Sequence, residues 1–200
     1  MNAIFYYLMT FAEAGLGAVG IRGVYEQPRY SVVERLPGGV EVRDYDPRIA
    51  AETTDSGDGS AAFSRLFQYI TGSNTTGARI EMTAPVSRDA TRIAMTVPVQ
   101  SGMQDGTMRF FLPREVAAAG APQPLDRNVR IVSIPPTRLA VVRFSGVPDR
   151  TSVAAHQRDL LAALNGAGRT TRGQPYLLTY DAPFTISFVR RNEVAVELAR

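Results

Sequence analysis

The sequence carries a displaced echo of part of itself, and that echo limits the folds open to it. Pro47, Ala51, Ser56 and Gly57 are matched by Pro136, Ala140, Ser145 and Gly146, each 89 positions later, and both stretches run into a helix-like pattern. A chain of 200 residues holding two such units fits one domain plus a terminal extension, in which two copies pair their sheets about a pseudo-twofold axis. Such a sheet closes toward a barrel, with helices outside and a cleft between them.

The local patterns fill in the units. Strand-like runs lie at 30–35, 40–45 and 49–54, where Val40-Glu41-Val42-Arg43-Asp44-Tyr45 alternates apolar with polar at period two. Ser60 is placed to cap a helix whose Phe63, Leu66, Phe67 and Ile70 fall at i, i+3, i+4 and i+7, with Gly72 after it. Strand patterns follow at 79–87, 92–100, 107–113, 129–134 and 139–144. A second helix is expected from Ser152 to Asn165, burying Val153, Leu160, Leu161 and Leu164, and then strands at 176–180, 184–189 and 194–198. Residues 1–24 stand apart as an apolar N-terminal segment. Between Ala3 and Ile21 its only charge is Glu13, so it reads as a membrane anchor, a signal-like segment or a helix that docks on a partner.

Composition narrows the chemistry. With no cysteine there is no disulfide, thiolate metal site or cysteine nucleophile. All 22 basic residues are arginine, which removes Schiff-base chemistry. Codon bias explains this blandly; fork-like pairing with carboxylates would explain it functionally. The arginines are scattered among 19 acids without a basic run, so nucleic acid is not an expected partner.

A shorter repeat is more specific. Ile80-Glu81-Met82-Thr83-Ala84-Pro85-Val86 recurs as Ile93-Ala94-Met95-Thr96-Val97-Pro98-Val99. It follows Val42-Arg43-Asp44-Tyr45 and Tyr69-Ile70-Thr71-Gly72-Ser73-Asn74, and the chain closes with Tyr180-Asp181-Ala182-Pro183-Phe184 and Arg190-Arg191-Asn192-Glu193-Val194. Taken in this order, from about residue 25 to the C-terminus, these motifs resemble the SOUL haem-binding family. The resemblance implies an α+β fold: a distorted antiparallel β-barrel built from two strand-helix-strand-strand repeats, with two flanking helices. It also implies non-covalent binding of a tetrapyrrole, haem or free porphyrin, in a shallow apolar groove.

By that resemblance the ring-contacting positions of the first helix fall on Phe63 and Phe67, and the late loop of the groove on Phe184. The two phenylalanines either present a flat apolar wall to a macrocycle or pack the helix on its sheet. Arg43, within Arg43-Asp44-Tyr45, could pair a propionate or simply its neighbouring aspartates. Some family members carry a histidine proposed as an iron ligand where this chain has Asp44, which is a poor haem ligand. His156, the only histidine, lies on the second helix and reads as a packing or surface residue. Tyr45, Tyr69, Met82 and Met95 read first as sheet or core residues.

Three functions follow as expectations. One is a tetrapyrrole carrier or buffer without a strong axial ligand, binding haem at micromolar concentration or tighter. The second is an enzyme acting on a tetrapyrrole, such as a metal dechelatase, with Asp44 and Asp46 as proton carriers. The third is an accessory subunit held at a membrane complex through residues 3–21.

Overall fold

The computed structural model describes residues 26–55, 59–88, 106–181 and 185–199. The N-terminal segment 3–21, the second copy of the shorter repeat with Met95, and Phe184 lie outside these residues.

Nine strands form one antiparallel sheet: β1 Tyr30–Leu36, β2 Val40–Tyr45, β3 Arg48–Asp55, β4 Val86–Arg88, β5 Gly106–Phe111, β6 Val129–Ile134, β7 Thr137–Phe144, β8 Thr171–Thr179 and β9 Asn192–Leu198. Three helices accompany them: α1 Ser60–Ile70, α2 Arg114–Ala119 and α3 Arg150–Gly166. The class is therefore α+β. Spatial order is β1-β2-β7-β9-β8-β4-β5-β3-β6.

The repeat seen in the sequence is the symmetry of this sheet. Adding 89 to the bounds of β2 and β3 gives those of β6 and β7. Applying the same shift to Val40 opposite Val142 gives Val129 opposite Thr53, which is the observed β6–β3 register. Each unit is thus strand-strand-helix-strand-strand, one strand longer at its start than the sequence pattern suggested. The first strand of each unit pairs with the second strand of the other, so the two units are interlocked by exchange. The pseudo-axis passes between β4 and β8.

The sheet must also curl. Asp46 and Pro47 alone join β2 to β3, although these strands stand second and eighth in the order. A three-peptide link reaches no more than about 11 Å, whereas six strand intervals in a flat sheet would span about 29 Å. Pro135 and Pro136 impose the same closeness on β6 and β7. The ladder nevertheless stays open among the described residues, with β1 and β6 as its ends.

The core follows from this shape. Two apolar clusters lie under the helices: Leu66, Ile70, Met108 and Phe110 under α1, and Leu160, Leu164, Val194 and Val196 under α3. A third, with Tyr45, Ala50, Phe111, Leu139, Leu178 and Ala195, fills the other face, where the curled sheet covers itself.

Some expected elements differ. Of the strand expected at 79–87 only Val86–Arg88 joins the ladder, since Pro85 has no N–H to donate. A 3-10 turn, Ser187–Val189, stands within the segment expected as a strand at 184–189. Gly59 rather than Ser60 is the N-cap of α1, at φ 81°, a left-handed conformation suited to glycine. On α3 the buried position between Val153 and Leu160 is filled by Gln157, whose Nε2 donates to the Pro175 carbonyl at 3.1 Å.

Candidate functional site

Residues paired across neighbouring strands share one face of the sheet. Phe110 lies opposite Val86, Val86 opposite Thr179, Thr179 opposite Asn192, and Asn192 opposite Phe144. The Phe63 ring of α1 meets Phe110 edge-on at 5.2 Å, and His156 of α3 stacks on Phe144 at 4.1 Å. This row therefore runs along the helix-bearing face from one helix to the other. α1 packs on β3, β5 and β6, and α3 on β7, β8 and β9. Between them β4 and the near side of β8 form a floor, with Val86 and Thr179 half-buried.

Phe63 and Phe67 make one wall of that groove. Their rings lie nearly parallel, 6.0 Å apart, and remain 37% and 45% exposed. The buried arc of α1 is Ala62, Leu66, Tyr69 and Ile70, so the phenylalanines flank it instead of filling it. α3 buries Val153, Gln157 and Leu160 at the corresponding places, which puts Ala154 and Arg158 where α1 has Phe63 and Phe67. The repeat did not supply this aromatic pair; α1 alone has it. Met82 is half-buried against the same cluster. At the far rim the Ser187–Val189 turn exposes Ile186 and Phe188, the latter 74% accessible. That turn is fixed to the start of α3 by the Gly146 N–H, which donates to the Ser187 carbonyl at 3.0 Å.

Arg43, Asp44 and Tyr45 are not brought to this groove. Arg43 and Tyr45 point into the third cluster. Arg43 donates to both oxygens of Glu193, at 2.9 and 3.2 Å, to Glu41 at 2.9 Å and to the Tyr45 hydroxyl at 3.3 Å, with its face 4.4 Å from the Tyr30 ring. Its fork is therefore fully engaged. Asp44 alternates to the other side of β2 and forms a partly exposed fork with Arg138, at 2.6 and 2.7 Å, which lowers its carboxyl below the usual range.

The polar group that organises this interior is Glu193, fully buried. Arg191 donates to it at 2.7 and 3.0 Å and the Tyr180 hydroxyl at 2.6 Å. Burial opposes the charged form, but Arg43, Arg191 and Tyr180 outweigh it and hold the carboxyl below its ordinary value. Glu193 stood in the closing motif, yet its role was hidden because Arg43 lies 150 positions away. Its signal was a lone acid inside the otherwise buried Asn-Glu-Val-Ala-Val run.

Among the described residues few side chains at the groove are free to ligate iron. His156 is stacked on Phe144, with its Nδ1 2.7 Å from the Ser152 carbonyl. Tyr69 is buried, donates to the Pro122 carbonyl at 2.9 Å, and has its hydroxyl pushed up to about 12 by burial. Among the described residues no group of histidine and carboxylate side chains is placed to hold a metal ion.

The SOUL haem-binding protein family model matches residues 25–197. The chain belongs to the SOUL haem-binding protein family. Heme-binding protein 1 of the mouse is 27% identical, over 86% of this chain and 96% of that protein. Among solved structures, the EcmrR C-terminal domain has a TM-score of 0.53 at 11% identity, covering 86% of this SOUL-family chain and 98% of that domain. A hydrolase from Listeria innocua has a TM-score of 0.54 at 9% identity, covering 80% and 91%. At such identities these two structures share the fold alone.

Proposed function

We propose that this SOUL-family protein is a carrier or buffer for a tetrapyrrole, haem or a related macrocycle, held non-covalently along the Phe63–Phe67 wall and over the Val86–Thr179 floor of an open barrel. The observation that carries this reading is the stacked, exposed aromatic pair on a helix that already has a complete buried face. Leaving two phenylalanine rings 37% and 45% exposed forgoes roughly 0.5–1.5 kcal/mol each, which a flat apolar ligand recovers. With His156, Tyr69 and Tyr45 committed to packing, the ring is gripped by its apolar face and not through a strong axial bond.

The test is a haem titration followed in the Soret band. Wild type is expected to saturate at micromolar haem or below, without bis-histidine features. Replacing Phe63→Ser and Phe67→Ser together is expected to weaken binding at least tenfold. An unchanged affinity in that variant, or no saturable change in wild type, overturns the reading. For localisation we propose association with a membrane through residues 3–21; loss of the protein from the membrane fraction after deletion of those residues would support it, and retention would refute it.

A further inference from the structure

A second site is suggested by a charge without a partner. Arg48 begins β3 and shares with Ala50 the sheet face opposite α1, away from the tetrapyrrole groove. Its guanidinium lies 4.6 Å from the Tyr45 ring centre and 5.4 Å from that of Phe111. Its Nε is buried and has no hydrogen-bond acceptor among the described residues. The neighbouring guanidiniums of this face are paired, the buried Arg43 and the half-buried Arg191 with Glu193. Arginine cannot shed its proton, so a half-buried guanidinium whose Nε is buried and unpaired calls for an anion.

Arg48 also lines a small cavity of about 50 Å³, together with Arg29, Thr83, Phe111 and Arg114. The two carboxylates at this cavity do not neutralise it. Glu26 accepts from Arg114 at 2.9 Å, and Asp46, like Arg29, is exposed, so neither acid is paired with Arg48. Burial lowers the Arg48 guanidinium from its ordinary value, as expected where no acid supports the charge.

We propose that the Arg48 cavity binds a small carboxylate, with the guanidinium edge donating to its two oxygens while Tyr45 and Phe111 lie against the guanidinium. A planar two-oxygen acceptor matches the fork, and rings packed on its faces leave the in-plane donors free. The small volume selects an acid of a few heavy atoms or the acid end of a longer one.

The test is thermal denaturation of the whole protein in a zwitterionic buffer at fixed ionic strength, titrated with acetate, formate or sulfate. Acetate and formate are expected to raise Tm saturably, and sulfate less. Arg48→Met is expected to abolish the response while being at least as stable as wild type without carboxylate, because it removes a half-buried charge with no acid partner. Arg48→Lys keeps the charge without the fork, and its apparent Kd for acetate is expected to rise at least tenfold. No saturable response in wild type, an equal response in R48M, or marked destabilisation of R48M in carboxylate-free buffer overturns the proposal. A larger response to sulfate overturns the assignment to carboxylates. Haem binding by R48M is expected to be unchanged, which keeps this site separable from the groove.

Discussion

Glu193 shows how a single side chain sets the interior of this sheet. It sits between two arginine forks and a tyrosine hydroxyl, all within a buried cluster. Removing its charge leaves the guanidinium of Arg191 without its acid and that of Arg43 with Glu41 alone, so Glu193→Gln is expected to cost about 3–5 kcal/mol in a chemical denaturation at neutral pH. Replacing Arg43→Met in the same chain removes one of the two charges that Glu193 compensated and is expected to recover part of that loss. The pH dependence has a definite sign. Because folding depresses the Glu193 carboxyl, its contribution is full above the unfolded value of about 4.3 and is lost as pH falls through the lower folded value. Wild type should therefore lose stability on acidification below about pH 4.3 more steeply than E193Q, as Tm measured against pH would show. The sequence displayed Glu193 beside Arg191 but not its pairing with Arg43, which only the long-range pairing of β2, β7 and β9 brings to it.

At the scale of the element, α1 separates what a helix needs for folding from what it has to spare. Counting apolar residues at i, i+3, i+4 and i+7 groups Phe63 and Phe67 with Leu66 and Ile70 on one apolar face, whether packed on the sheet or open to a ligand. The spacing was right for a helix, but it could not say where the centre of the buried arc would lie. That centre falls on Ala62, Leu66, Tyr69 and Ile70 because β3, β5 and β6 contact that side. Leu66→Ala is accordingly expected to cost about 2–5 kcal/mol, whereas Phe67→Ser should change stability by less than about 1 kcal/mol; thermal unfolding of the two variants checks the contrast. The Ser187–Val189 turn was legible only as an apolar stretch. Period-two alternation is equally satisfied by a short exposed loop, and there Phe188 points to solvent.

For the whole molecule, the repeat was the most informative feature of the chain. Four matched residues at a spacing of 89 anticipated the offset between β3 and β7, and the same spacing relates β2 to β6. What the repeat could not reveal was the exchange: β2 leaves its own unit to pair with β7, and β6 to pair with β3. Each half therefore lacks a strand neighbour that the other supplies, so residues 26–120 expressed alone should show no cooperative thermal transition by circular dichroism. Mixing with the remaining half should restore one. Laid over this symmetry is an asymmetry on which the proposed function rests: of the two long helices, α1 carries the exposed aromatic pair. The most direct test of that claim is the set of ring-current shifts that zinc protoporphyrin induces in the methyl NMR signals. Binding at the wall predicts large shifts at Met82 and Val86, with Leu139, Val141 and Leu178 on the opposite face unmoved. Shifts confined to those interior methyls, or none at saturating porphyrin, would contradict it.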